Sequence, residues 1–472
     1  MASLSTVPQV ALLILVVIVV FNLIIFVHEL GHFWAAKWRG LTIDRFQIWF
    51  GKPIWSKTIN GVQYGLGWIP AGGFVALPQM APMEAIEGGN IDRAPLPPIK
   101  PIDKIIVAFA GPLFSFLLAF SAALVVSKVG KPKDFAPTQT VSEILEGSPG
   151  ERAGFKPGDK ITHINGNLVN GWDGRIDSIF TQIVTSEGSD IVFTVERPGE
   201  AKPITLTSHF EIPETRWWQR KALRQVGIMP ETGWVFAGDP MKGAPAAAAG
   251  VQEGDRLISI DGQEFTAVEK VIDYIRSKGE TPLNFVFERK KETVNLTIQP
   301  RVPIKPEGKN AMIGLSFFDS PIYEKHIVYP GAGEQMVDTL KQMWLTITRV
   351  ISPTSSIGVG HLSGPVGIAK LQYRMLSMEH PWQRILGFMV LLNINLAILN
   401  MMPFPVLDGG HITLAIMESI AGRPVKAKVL FVLQSGFAAL LISLMVFVTS
   451  KDIGDGINPT GEKSEQYVFP GN

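Results

Sequence analysis

Apolar and polar positions along the chain fall into two regimes. Residues 11–27, 105–126, 385–403 and 429–449 carry no charge, and each is near the roughly 20 residues a helix needs to cross a hydrocarbon core of about 30 Å. Between the second and third stretches, apolar residues alternate with polar ones in short runs such as Ile191–Glu196 and Leu283–Glu288, the period of a half-buried strand. One buried helix of a soluble core can imitate a span, but four in one chain predict a multi-pass α-helical membrane protein. The four transmembrane helices are expected at 8–36, 103–128, 383–408 and 428–450.

The loop 37–102 has its own pattern. Residues 61–76 alternate small and large side chains around Pro70-Ala71-Gly72-Gly73, which predicts a β-hairpin turning at those four residues. Trp49, Phe50, Ile54 and Trp55 stand just upstream, so the hairpin is expected to dip into the bilayer as a membrane-reentrant element. The alternative is an interfacial loop that only anchors. An open strand edge there would suit an extended peptide added as a further strand. In the second span, Gly111-Pro112 predicts a kink that faces protein, because proline frees a carbonyl that lipid cannot satisfy.

An internal repeat occupies the region between the second and third spans. Ala153-Gly154-Phe155-Lys156-Pro157-Gly158-Asp159 through Asn165-Gly166 returns 96 residues later as Ala249-Gly250-Val251-Gln252-Glu253-Gly254-Asp255 through Asp261-Gly262. The period predicts two β-rich units in tandem, at 135–215 and 222–302. On their Gly-Asp-x-Ile-x-x-Ile-Asn-Gly pattern they resemble PDZ domains of the bacterial protease type, which implies two extracytoplasmic PDZ-like α+β domains. Residues 303–380 read as a linker with an interfacial helix near Trp344 and Trp382. The tail 451–472 is polar and gives no functional signal.

Charge decides orientation rather than partner. The 43 basic and 42 acidic residues nearly cancel, so nothing points to nucleic acid. The absence of cysteine excludes disulfides, thiol catalysis and cysteine-ligated metals. Basic residues crowd the ends of two loops: Lys37, Arg39, Arg45, Lys52, Lys57, Arg93, Lys100 and Lys104 between spans one and two, and Arg423, Lys426 and Lys428 between spans three and four. Both loops are therefore expected in the cytoplasm, with residues 128–380 outside. A cleaved signal peptide is the rival reading of the first 30 residues, disfavoured by the lack of lysine or arginine in residues 1–10 and of a small-residue cleavage site.

The candidate chemistry sits where the first span ends. Val27-His28-Glu29-Leu30-Gly31-His32 places two histidines four residues apart on one helix face with a glutamate beside them, the spacing for one zinc ion and a general base. A catalytic zinc needs a third protein ligand and keeps one position for water. Asp408, in Met401-Met402-Pro403-Phe404-Pro405-Val406-Leu407-Asp408-Gly409-Gly410-His411 after a span that two prolines must break, reaches the same depth. His411 is the competing ligand, and geometry read from the chain leaves both open.

Taken together, His28–His32, Phe50-Gly51-Lys52, Pro70–Val75, Ala110-Gly111-Pro112, Ser363-Gly364-Pro365 and Asn400–Gly410 resemble the site-2 protease family, most closely its regulator-of-sigma-E type with two tandem PDZ domains. The resemblance implies an intramembrane zinc metalloprotease of the bacterial inner membrane with its site near the cytoplasmic side. It implies one zinc ion on His28, His32 and Asp408, with Glu29 as catalytic base. Asn400, Pro403 and Pro405, together with Gly65, Gly67, Gly72 and Gly73 of the reentrant element, would contact substrate. The partners implied are single-span membrane proteins, among them an anti-sigma factor already cut by a site-1 type protease, and remnant signal peptides. Ser115 stands where the family often has asparagine, and Met401-Met402 where it commonly has Leu-Phe. Ser115 is expected to bond a neighbouring backbone carbonyl. Two other classes remain as rivals: a membrane-bound PDZ scaffold without proteolytic activity, and a transporter, against which four spans without an inverted repeat argue.

Overall fold

The computed structural model describes residues 7–472 except 81–95, 98, 134–136, 173–175, 231–233, 266–267, 290–291, 305–309, 321–325, 424, 426, 456–468 and 471–472. Arg93 and Lys426, used above for orientation, and most of the polar tail lie outside the described residues.

Among the described residues, four helices are long and apolar enough to cross a membrane. They are α1 (Val7–Arg39), α2 (Pro101–Val129), α5 (Pro381–Asn400) and α7 (Ala427–Gly454). Helices α3 (Ala332–Ile351), α4 (Pro365–Ser377) and α6 (Asp408–Ala421) accompany them. α2 is the central post, packing against α1, α5 and α6. Its buried face is made of small residues, Ala108, Ala119, Ala122 and Ala123, which let neighbouring backbones approach where lipid offers no hydrophobic drive to association. Pro112 sits inside α2 with Ala108, Ala110 and Gly111 all buried, so the proline turn faces protein, as expected.

The third span ends earlier than the 383–408 limit. α5 stops at Asn400, residues 401–407 are irregular, and Asp408 opens α6. Pro403 and Pro405 lack the amide protons that would continue the helix. Gly409 and Gly410 then allow the first turn of α6 to press on the irregular segment, because a Cβ at 409 would collide with the carbonyl of Met401 and one at 410 with that of Phe404.

The loop 37–102 contains a small sheet of β1 (Arg45–Ile59) and β2 (Val62–Ala76). A tight two-residue turn at Asn60-Gly61, with φ of 50° and 84°, precedes a second reversal between Leu66 and Gly73, both of which face Ile48, around the expected Pro70–Gly73. Asn-Gly accepts positive φ at both central positions of a two-residue turn. β2 folds over both sides of β1: Arg45 faces Gln63 and Ala76, and Gln47 faces Gly65 and Phe74. The sheet is fixed to α1 by Trp49 Nε1, which donates to Asn22 Oδ1 at 2.5 Å.

The two β-rich units repeat in space as they do in sequence. The first has a sheet ordered 167–168, 160–164, 191–196, 204–208, and a separate pair of Val141–Ile144 with Ile228–Pro230. The second carries the order 292–298, 283–289, 256–260, 234–237, 317–320. The repeated aspartate does the same task in each. Asp159 and Asp255 are buried, accept the main-chain N–H groups of Lys156 and Gln252 at 2.9 Å, and bind Arg197 and Arg289, which also donate to the carbonyls of Gly154 and Gly250. Each unit closes later than its expected boundary. Val226 and Ile228 belong to the first core beyond residue 215, and Ile313 with the strand Phe317–Ser320 to the second beyond residue 302. The closing strands are too short and too distant for the pattern of alternation to reveal them.

Candidate metal centre

Helix α1 carries His28, Glu29 and His32 on one face, and α2 supplies the floor on which they rest. Gly31 and Gly111 make the approach possible: a Cβ at 31 would collide with the Ala110 carbonyl, and one at 111 with the ring of His32. His32 Nδ1 donates to the Val107 carbonyl at 2.8 Å. Since that carbonyl only accepts, the His32 Nδ1 carries the proton and its Nε2 lone pair is left facing inward. His28 Nδ1 lies 2.9 Å from Ser115 Oγ, a fully buried side chain, and that contact turns the second Nε2 the same way.

Asp408 arrives from the first turn of α6, where the positive end of the helix suits a carboxylate. Its Oδ2 is 3.2 Å from His28 Nε2, its Oδ1 is 3.3 Å from His32 Nε2, and the two Nε2 atoms are 3.3 Å apart. Two lone pairs and a carboxylate turned on one point repel unless a cation lies between them. Ligand atoms about 2.0–2.1 Å from a tetrahedral zinc ion lie roughly 3.3 Å from one another, so the spacing fits zinc. Asp408 Oδ2 is buried without a hydrogen-bond partner, again as a ligand atom would be. His28, His32 and Asp408 can thus hold a metal ion, and among the described residues they form the one such group. His411, three residues beyond Asp408, is not part of it.

Comparison with known proteins agrees with this geometry. Residues 16–444 match peptidase family M50. The chain belongs to that family. A candidate zinc metalloprotease of Vibrio cholerae is 28% identical over 457 residues, covering 92% of this chain and 97% of that one. The regulator of sigma-E protease RseP of Salmonella typhimurium is 28% identical over 429 residues, covering 87% and 92%. A PDZ domain of an SdrC-like protein from Listeria monocytogenes is similar over 17% of this chain and 85% of its own, with 24% identity and a TM-score of 0.16. As an M50 peptidase the protein is a zinc-dependent metalloprotease of the membrane that acts on membrane-protein substrates.

Glu29 lies between the two histidines on α1. Its carboxyl group is within electrostatic reach of His28, His32 and Asp408 and lies beside the Val75 main chain. β2 therefore borders the site through its last residues. Gly73 is the glycine of the four predicted that touches this region, with the space of a Cβ 3.4 Å from Glu29 Cγ. Gly65 and Gly67 lie inside the sheet against Trp55, Gln47 and the Phe50 carbonyl, and Gly72 beneath the Phe50 ring; none of these three abuts the metal group. Asn400 ends α5, and Pro403 is exposed on the irregular segment before Asp408.

Sequence reasoning missed the role of Ser115. It does not bond a neighbouring backbone carbonyl; it reaches the imidazole of His28, 87 residues away in sequence. The departure from asparagine at that position was the available signal. Gly111 precedes Pro112 in the expected kink, and it also seats His32.

Proposed function

We propose that this M50 peptidase hydrolyses peptide bonds within transmembrane segments of single-span proteins, with one zinc ion on His28, His32 and Asp408 and Glu29 as general base. The observation that carries the reading is the convergence of three ligand atoms from α1 and α6 beside a buried-side glutamate. When bound, zinc polarises the scissile carbonyl and acidifies a water molecule. Glu29 takes the proton of the attacking water and returns it to the departing amide nitrogen. Val107 and Ser115 keep both imidazoles aimed, a support that metal ligands generally require.

The substrate has to be extended before its backbone can be attacked, and β2 supplies a template. We place the β1–β2 sheet as a reentrant element on the cytoplasmic side, with the outer edge of Gly73–Ala76 next to Glu29 taking the substrate as an added strand. Asn400, Pro403 and Pro405 would hold it from the opposite side, at a stretch where α5 is already unwound. Basic residues at the ends of α1 and α2 support a cytoplasmic site, with the two β units as PDZ domains in the periplasm. The sigma-E relatives suggest an anti-sigma factor shortened by an earlier protease, and remnant signal peptides are a second substrate class.

The test is Glu29→Gln in purified protein with a membrane-spanning peptide. Loss of a general base lowers turnover by about 10²–10⁴-fold, while zinc content stays at one per chain. Turnover equal to that of the unaltered protein would remove Glu29 from the mechanism.

A further inference from the structure

The loop that joins the two β units contributes no residue to the metal group, yet it is built where the fourth span leaves the bilayer. Residues 215–221 read Thr-Arg-Trp-Trp-Gln-Arg-Lys. Trp217 is 84% exposed, an unusual setting for the largest apolar side chain. Its ring stands edge-on to Trp218 at 5.6 Å, and Arg216 lies over Trp218 at 5.3 Å.

The height of this loop is set by the end of α7. Lys451 donates to the main-chain carbonyls of Trp217 and Gln219, Arg220 pairs with Asp452 and Asp455, and Arg220 also donates to the Leu362 carbonyl at 3.2 Å. A Cβ at Gly454 would collide with the Trp218 carbonyl. The apolar stretch of α7 runs up to this point, and Phe447 and Ile453 remain exposed on the helix beside it. Trp217 is thus continuous with a surface that lipid must cover.

We propose that residues 215–221 are an interfacial anchor, with Trp217 set among the phospholipid headgroups. Indole rings favour that depth because one part of the ring is apolar while its N–H remains wet. Arg216 and Lys221, both exposed, provide positive charge for lipid phosphates, partly offset by the exposed Glu214. The anchor fastens both β units to the membrane surface at the point where the chain passes from one to the other. It is independent of the metal centre.

The absence of cysteine makes a clean test possible. Trp217→Cys, Ile442→Cys and Glu292→Cys each introduce a unique thiol for a nitroxide spin label; Ile442 is on the lipid-facing surface of α7 and Glu292 is on an exposed strand of the second unit. The full chain is placed in nanodiscs of phosphatidylethanolamine and phosphatidylglycerol, and collisions with oxygen and with a water-soluble nickel complex are compared. The expected ratio at 217 is several-fold above that at 292 and of a free label in buffer, and below that at 442. Lys221→Cys, which keeps both tryptophans, covers the case in which replacing Trp217 lifts the loop off. Ratios at both 217 and 221 equal to that of the free label would overturn the proposal, whatever the proteolytic activity.

Discussion

At the scale of single residues, the metal centre depends on contacts that hold a ligand and on glycines that give it room. Ser115 touches no metal position, and removing its hydroxyl leaves the His28 ring free to rotate and its Nδ1 proton buried without an acceptor. Losing such an outer contact typically costs 10–100-fold in metal affinity. Ser115→Ala should therefore weaken zinc binding by about that factor in a chelator competition and broaden the absorption bands of the cobalt-substituted protein. Ser115→Asn, which can still accept from His28, should restore most of the affinity; equal zinc binding by all three forms would leave Ser115 as packing alone. The contrast between this residue and its partners shows what a sequence exposes. His28 and His32 are legible because helical geometry brings residues four apart onto one face, whereas membrane depth inferred from span order nominates Asp408 but leaves His411 in competition until the fold separates them. The Ser115–His28 contact depends on how α1 and α2 rotate against each other, which no local pattern encodes.

Elements show the same division. The four spans could be read because hydrocarbon imposes a length, and the tandem units because their Gly-Asp turns recur with the same buried aspartate. At the hairpin the alternation reveals the reversal around Pro70–Gly73 but not the tighter Asn60-Gly61 turn before it, and the glycines at 72 and 73 also give room for close packing on Phe50 and α1. The break between α5 and α6 follows from Pro403 and Pro405, whereas the site depends on how tightly α6 then folds back. Gly410 has the Phe404 carbonyl where a side chain would be. Gly410→Ala should force the first turn of α6 away from residues 401–404 and carry Asp408 off the two histidines. The expected result is loss of zinc at unchanged helical content, measured by metal analysis and circular dichroism, with an overpacking cost of about 1–3 kcal/mol in thermal unfolding. Retention of stoichiometric zinc would show that Asp408 can follow the metal as α6 shifts.

The whole molecule is held together at the outer end of α7 by one buried carboxylate, in a tail that looked featureless in sequence. Asp452 is fully enclosed: it pairs with Arg220 from the loop between the β units and accepts the Gly367 N–H at 2.7 Å, while Lys370 donates to its main-chain carbonyl at 2.6 Å. Gly364 of the Ser-Gly-Pro motif and Gly367 two residues after it are small because the carboxylate occupies the space a side chain would take. A second tie lies nearby, where Arg224 joins Ser186 of the first unit to Ser356 and the Thr354 carbonyl after α3. These contacts fix the β units relative to α4, and α4 packs on α5, which leads to Asn400 and the site. Asp452→Ala leaves Arg220 short of its main partner and the Gly367 N–H unsatisfied, at about 1–3 kcal/mol for each buried group left unpaired. Replacing both sides of the ion pair, as Arg220→Met with Asp452→Leu, should recover much of that stability, because an apolar pair carries no desolvation penalty. Stability and selectivity then come apart. If the docked units screen out substrates that keep bulky outer domains, the double variant should unfold nearer to the parent than Asp452→Ala does yet cleave unshortened substrates, since the polar clamp that seats the loop on α7 is gone. A double variant that is stable and still rejects unshortened substrates would assign the screening to the units themselves rather than to how they are fastened.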